Sequence, residues 1–440
     1  MSERRRAVVV GAGIAGLCTA SVLASRFQQV HVVERDQLPD GPEFRSAVPQ
    51  GRHAHGLLEA GQDALDELFP CVTAELVGAG AARLDHLADA KVFQYGRPFC
   101  SVTSGSHFLS VTRPLLEWSL RQRIVGLPNV TIRQNSAVAS LSGDAHRVRG
   151  VGLDDGDTLA ADLVADCTGP AGRSDRWLAD LGVATPEVSK VKIGAGYSSR
   201  MFKRLPGERV GGAEAAYVLA SPPGSARGGN AVPVEGDRWL VSLHGLHVGG
   251  LPDDDTSFID FARTLPDPSI AKLVARAEPT SGISVHRFPA SRRRHFERLS
   301  EVPAGFVTLG DALCTFNPVY GQGMTSAALQ ALALGKALDR YESGGTRTAA
   351  AYYAVAAKVV EVPWTLAAGG DFAFPGTKGS KPRGTDTINR YVRRVVLAAQ
   401  TSPSVATAFA SVAHLTKPPT LLLRPSVLAR VAAAAFRLRG

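Results

Sequence analysis

The residues from Ala7 to Arg35 restrict this chain more than any other stretch. Ala7 to Val10 is an apolar run of strand type, and Gly11-Ala12-Gly13-Ile14-Ala15-Gly16 follows at once. An apolar helical pattern continues to Arg26, and a second strand, Val30 to Val33, ends in Glu34-Arg35. A bare G-x-G-x-x-G says little. Here it stands in the order strand, glycines, helix, strand, acid, the order that holds a dinucleotide. Gly11 allows the tight turn, Gly13 lets a pyrophosphate approach, and Gly16 lets helix and strand pack. The helix N-terminus, from Ile14 and Ala15 onward, offers unpaired N–H groups to phosphate. Glu34 lies about 18 residues past the last glycine, where an acid takes both ribose hydroxyls and disfavours a 2′-phosphate.

A second loop of this kind lies far along the chain. Gly305 to Leu309 reads as a short buried strand, and Thr325 to Leu338 is Ala/Leu-rich with helical spacing. Between them runs Gly310-Asp311-Ala312-Leu313-Cys314-Thr315-Phe316-Asn317-Pro318-Val319-Tyr320-Gly321-Gln322-Gly323-Met324. Such a loop sets backbone N–H groups and a helix N-terminus against something electron-rich. Asp311 suits a sugar-like hydroxyl, and Pro318 offers a rigid, donor-free surface to a flat ligand. An ordinary glycine-rich connection is the alternative.

Together the two stretches resemble FAD-dependent monooxygenases of the para-hydroxybenzoate hydroxylase type. Val48-Pro49-Gln50-Gly51-Arg52-His53-Ala54-His55-Gly56-Leu57 and Phe316 to Met324 look like signatures of bacterial polyether flavin epoxidases of the lasalocid and monensin type, more distantly similar to squalene epoxidase. The resemblance implies an α/β fold: a Rossmann-like FAD-binding domain interleaved with a mixed or antiparallel substrate sheet, then a helical C-terminal segment. The implied division is 1–70, 111–185 and 300–345 for FAD, 71–110 and 186–299 for substrate, and 346–440 for the helical region. It implies that the first fingerprint holds the ADP half and that Gly310-Asp311 to Met324 holds the ribityl chain and flavin ring. It also implies cofactor contacts from Arg52, Arg113 and the backbone near Val138, and from the region of Asp166 and Gly169. Relatives often carry Arg after that glycine; here Pro170 follows, with Arg173 three further on.

Composition narrows the class. Hydrophobic content of 45% and charged content of 20% over 440 residues are globular values. The net charge of +9 comes from dispersed Arg and Lys without a nucleic-acid motif. An attraction for anionic nicotinamide cofactors, an acidic carrier or a membrane surface fits it, as does a bland Arg-rich composition. The five cysteines form no CxxC and are odd in number, as in a reduced cytoplasmic protein. Met1 to Arg6 is basic but leads into a strand rather than a signal segment, and no apolar stretch has the length of a membrane span.

The rest of the chain follows this frame. Gly56 to Leu68 reads as a helix, residues 70–110 as strands and turns on the substrate wall, and Arg113-Pro114 as a helix start. His53 and His55 lack a neighbouring Cys or carboxylate cluster, which favours packing or the flavin edge over a metal. Residues 188–300 alternate like an antiparallel sheet roofing the flavin. Tyr197, Arg200, Trp239 and His244 are its polar-tipped wall candidates, with Tyr197 and His244 the weak candidates for a catalytic side chain. Arg292-Arg293-Arg294-His295 reads as a solvated helix face, or as a dock for NADPH phosphates or an acidic carrier. Helices are expected at Thr348–Val360, Asp386–Ala399, Val405–Leu415 and Ser426–Leu438. The last has Val427, Leu428, Val431 and Ala435 on one side, so it either lies on a membrane or caps the substrate cavity.

The implied chemistry is oxygen insertion from O2, through a flavin C4a-hydroperoxide, into a small apolar substrate, most simply epoxidation of a polyketide or terpenoid alkene. NAD(P)H binding transiently, or a partner reductase, supplies electrons, because Gly194-Ala195-Gly196 lacks the third glycine of a second fingerprint. Aromatic hydroxylation, dehydrogenation and non-redox cyclisation around a structural FAD share these motifs. A flavin halogenase would carry Trp-x-Trp-x-Ile-Pro, but Trp177, Trp239 and Trp364 are isolated.

Overall fold

Five parallel strands form the centre of the computed structural model, which describes residues 5–247, 249–341 and 345–437. Their order is Phe306–Thr308, Leu163–Asp166, Arg6–Val10, Gln29–Val33 and Val130–Arg133. Strands covered on both faces need continuous apolar runs, and Ala7, Val8, Val9, Val164 and Phe306 are wholly buried. Helices Ile14–Ala24 and Gly323–Arg340 pack together beside this sheet; a Cβ on Gly335 would meet Val22 at 3.3 Å.

A nine-stranded mixed sheet forms the second layer. Its centre is Val188–Lys203, paired antiparallel with Ser284–Arg294 on one side and Arg238–Leu246 on the other. Arg227–Val234, Ala215–Val218 and Ala90–Gln94 continue it. The two-residue period splits its faces. Phe202, Trp239, Val241 and Leu243 pack outward under helices Asp255–Arg263 and Ser269–Val274. Tyr197, Ser242, His244 and Leu246 line the inner face.

Helix Thr346–Asp371 is tied to the parallel sheet by Tyr352, whose hydroxyl donates to the Thr308 carbonyl at 2.9 Å. Helices Thr385–Ala399, Pro403–Ala413 and Pro425–Arg437 then close over the free end of the second sheet, sharing a core with Val92, Phe99, Phe108 and Val232.

The α/β class and the two-sheet architecture are as expected. Four local readings are corrected. The helix read from Gly56 begins at Glu59, after a short strand Gly56–Leu57. A helix, Val72–Gly78, stands where only strands and turns were read. Arg292-Arg293-Arg294 ends a strand rather than a helix, because it pairs antiparallel with Val188-Ser189-Lys190 in the second sheet; Arg293 and Arg294 then meet distant carboxylates. The helix read to Val360 runs on through Pro363 to Asp371. In the last helix Val427 and Val431 are buried in the shared core, so it packs on the body; Leu438 and Arg439, like Met1 to Arg4, lie outside the described residues. No helix among the described residues is long and apolar enough to cross a membrane.

Candidate active site

The glycine fingerprint is built by close approach. Gly11 has φ +102°, and a Cβ on Gly16 would lie 1.8 Å from the Gly11 carbonyl oxygen. Any side chain at Gly16 would drive the helix off the strand. Gly13 differs: a Cβ there would meet nothing nearer than Glu117 Oε1 at 3.7 Å, so open space lies before it. The helix from Ile14 has no side-chain cap, which leaves its first N–H groups for a ligand.

Glu34 closes this cradle. Its Oε2 accepts from the Ala12 N–H at 2.7 Å and its Oε1 from the Asp36 N–H at 3.1 Å. Arg45 lies against the same Oε2 at 2.7 Å, and against Asp36 and Glu117 at 3.5 Å each. Burial by itself weakens the Arg45 charge, but Glu34 and Glu117 outweigh it and hold its pKa above the ordinary value. Glu117 also takes Arg113, at 2.6 Å. One buried chain of charges therefore joins the second strand, the loop after it and helix Arg113–Val125.

The second loop faces the first. Gly321, with φ +66°, turns the chain into the N-terminus of Gly323–Arg340. Burial raises the Asp311 pKa to about 6, and the Arg113 charge opposes the rise. Behind this loop runs a hydrogen-bonded chain. The Tyr197 hydroxyl donates to Asn317 Oδ1 at 2.6 Å, and Asn317 Nδ2 donates to Asp371 Oδ1 at 2.9 Å. The Tyr320 hydroxyl donates to the same Asp371 oxygen at 3.2 Å. Burial pushes the Asp371 carboxyl up to about 7, and Asp371 Oδ2 has no partner.

Both loops open into one cavity of about 650 Å³ that continues under the inner sheet face. Gly11, Gly13, Ile14, Ala15, Glu34 and Arg35 line its first end, with Arg113, Val138 and Gly169 beside them. Asp311, Pro318, Gly321, Gln322, Gly323 and Met324 line its middle. Tyr197 and His244 face it from the sheet, and Phe409 and Val396 from the C-terminal helices.

Other expected residues stand elsewhere. Ala12 and Gly16 act from behind the wall. Gly310, with φ +63°, is packed against Ala15 and donates its N–H to Gln330 Oε1 at 2.8 Å. Asp166 is fully buried, and its oxygens are consumed by the Thr168 N–H at 2.9 Å, the Thr168 hydroxyl and Ser174. It shapes the turn that presents Gly169 to the cavity. Arg52 is exposed, with its guanidinium over the Phe44 ring at 4.5 Å, because the single turn Pro49–Arg52 aims Gln50 inward and Arg52 outward. Arg200 pairs with Asp255 and Trp239 donates to Glu208, both on the far sheet face. In the basic cluster Arg293 pairs with Glu361 and Arg294 with Asp175, so neither is free to dock an anion.

Neither weak catalytic candidate has the pKa of a base. Burial raises the Tyr197 hydroxyl well above its usual range and lowers His244 to about 4. His53, lowered by burial to about 3, bonds through Nδ1 to the Ser199 hydroxyl at 2.7 Å, and its buried Nε2 has no protein partner. Arg45 and Asp371 were missed by sequence reasoning; each is defined by partners from distant segments, and no local pattern marks them.

A glycine cradle with open space, an acid at the ribose position, two uncapped helix starts and the unpartnered buried Gln322 Oε1 fit a dinucleotide bearing a flat ring. The FAD binding domain family matches residues 4–361. Protein Rv3254 of Mycobacterium tuberculosis (strain ATCC 25618 / H37Rv) is 34% identical over 427 residues, 93% of this chain and 89% of its own. PqsL, a probable FAD-dependent monooxygenase from Pseudomonas aeruginosa, superposes with TM-score 0.60 at 20% identity over 82% of this chain and 95% of its own. A flavoprotein/dehydrogenase from Cytophaga hutchinsonii gives TM-score 0.68 at 16% identity over 99% and 98%. The halogenase CmlS gives 0.61 at 15% identity over 94% and 77%. These structures share the fold.

Proposed function

This chain belongs to the FAD binding domain family, and we propose that the protein, an FAD-dependent oxidoreductase, is a monooxygenase that transfers one oxygen atom from O2 to a small apolar substrate, most simply by epoxidising an alkene. When bound, the flavin supplies the redox chemistry with oxygen. The side chains hold, orient and dry the site. In this reading the first helix start and the Gly11–Gly13 backbone hold the pyrophosphate, Glu34 holds the ribose, Asp311 holds the ribityl hydroxyls, and the second helix start meets the flavin ring. Arg113, Val138, Gly169 and the run Pro318 to Met324 complete the cofactor contacts. The segments 1–70, 111–185 and 300–345 form the cofactor part, 71–110 and 186–299 the substrate part, and 346–440 the cover.

One observation carries the choice of reaction. The wall residues able to act as a base on the sheet are shifted by burial: His244 is held neutral near 4, His286 is lowered as well, and Tyr197 keeps its proton as a donor to Asn317. A phenol hydroxylase gains from a group that removes the ring hydroxyl proton. An alkene needs none; it needs orientation and exclusion of water, which helices Thr385–Ala399 and Pro403–Ala413 supply by covering the aromatic end of the cavity. Electrons come from NAD(P)H bound transiently or from a partner reductase.

The test is turnover under ¹⁸O2. The FAD-loaded protein is supplied with NADPH, NADH or a separate flavin reductase, and terminal and internal alkenes are screened alongside phenols. One ¹⁸O atom in an epoxide supports the proposal. Label in a phenol moves the assignment to aromatic hydroxylation. Consumption of O2 to hydrogen peroxide alone, with every substrate unchanged, refutes oxygen transfer.

A further inference from the structure

The end of the cavity away from the glycine loops is apolar and aromatic, with Val92, Phe108, Tyr217, Val396 and Phe409 on its wall. Its histidines His86 and His244 are both held neutral by burial, near 4. Among the described residues, one formally charged side chain lines this end: Arg393, on helix Thr385–Ala399, which is exposed to solvent and so stands where this end opens outward. The other charged wall residues stand on or beside the two glycine loops, at the first end and middle of the cavity. Arg393 has its guanidinium over the Tyr95 ring at 5.4 Å and meets no carboxylate among the described residues. Its neighbours in the chain, Arg390 and Arg394, add charge of the same sign.

Tyr95 is itself held with care. It has φ +50°, a left-handed conformation that is unfavourable for a tyrosine. Its N–H donates to Ser221 at 2.9 Å, and Gln94 on its N-terminal side is pinned to Ala220 at 2.8 Å and to Gln400 at 2.7 Å. Two segments, Ala220-Ser221 and Gln400, therefore fix the backbone that sets this ring beneath an exposed cation with no carboxylate beside it among the described residues. A stacked guanidinium keeps its in-plane N–H fork free, and that fork matches a carboxylate.

We propose that Arg393, backed by Tyr95, is the anchor for a carboxylate at one end of the substrate, so that the substrate class is a free apolar carboxylic acid whose hydrocarbon part runs toward the cofactor. This rests on the reading of the cavity as a substrate site and narrows it. The overall charge of +9 favours the approach of such an anion.

The experiment measures binding, without turnover, to the FAD-loaded protein by calorimetry, using 10-undecenoic acid and its methyl ester. The acid is expected to bind at least tenfold tighter than the ester. Arg393→Gln removes that advantage and leaves ester affinity within about twofold; Arg393→Lys, which keeps charge but loses the fork, falls between. Unchanged flavin content and melting temperature show that each variant is folded, and Tyr95→Phe, which keeps the ring, retains the preference. Equal affinity of acid and ester for the native protein, or equal loss of both in Arg393→Gln, overturns the proposal. Arg393-dependent acid binding supports the anchor whatever the ¹⁸O2 turnover test returns, so the anchor and the monooxygenase reading fail separately.

Discussion

Asp371 sets a pH dependence that a single substitution removes. Its carboxyl is wholly buried, holds the Asn317 amide and the Tyr320 hydroxyl on one oxygen, and has nothing on the other. Its pKa rises from 3.8 to about 7, with burial the main cause and the two hydrogen bonds opposing it. The sign follows from proton counting. Between those two values the folded chain keeps a proton that the unfolded chain has lost, so stability falls as pH rises. The loss begins above the unfolded value and levels off above the folded one. For a folded pKa near 7, linkage gives about 2 kcal/mol lost between pH 5.5 and 8.5 from this group alone. Asp371→Asn keeps an acceptor for Asn317 and Tyr320 and abolishes the titration. Urea unfolding of the FAD-loaded protein at both pH values is the assay. The native protein should lose about 2 kcal/mol more than the variant across that interval. Asp311, raised to about 6, titrates in the same direction, so its contribution is common to both proteins and cancels. Parallel stability curves would show that Asp371 is ionised throughout and that the chain behind the second loop is held by charge.

Other outcomes separate fold from ligand. Gly16→Ala places a Cβ 1.8 Å from a backbone oxygen and should yield no soluble folded protein, whereas Gly13→Ala, with 3.7 Å to its nearest protein neighbour, should keep the apo-protein melting temperature and lose FAD by at least tenfold in dialysis. Glu34→Ala removes the shortest ion pair of buried Arg45 but leaves Asp36 and Glu117 at 3.5 Å, so a calorimetric melt should show a loss below the about 3–5 kcal/mol of a fully broken buried pair, together with lower flavin content. Arg52→Ala should leave flavin affinity within twofold by fluorescence titration, while Arg113→Ala weakens it several-fold, since only the second residue faces the cavity.

What could be read from the sequence was what is periodic or local. The strand–glycine–helix–strand–acid order specified the cradle because each of its parts is a backbone requirement. The alternation in Trp239 to Gly245 specified a sheet, yet which parity faced the cavity depended on helix Asp255–Arg263 claiming the odd residues. Arg293 and Arg294 looked like solvent residues because their partners, Glu361 and Asp175, lie far away in the chain. Arg45 was invisible for the same reason. Arg52 and Gln50 illustrate the opposite limit: two residues in one short turn exchange roles by orientation alone.

The parallel sheet has a consequence for the chain as it is made. The strand at its edge, Phe306–Thr308, follows Arg6–Val10 by about 300 residues, which at about 5–20 residues per second takes a ribosome about 15–60 s to add. Until Leu163–Asp166 emerges, Arg6–Val10 has an open edge on the side away from Gln29–Val33. The loop bearing Asp311 and the helix start at Gly323 arrive later still. On the proposed cofactor contacts, the nascent N-terminal half therefore offers only the nucleotide end of a site. Flavin capture becomes a late event in biogenesis, and the interval before it is when an apolar edge most needs protection from other chains.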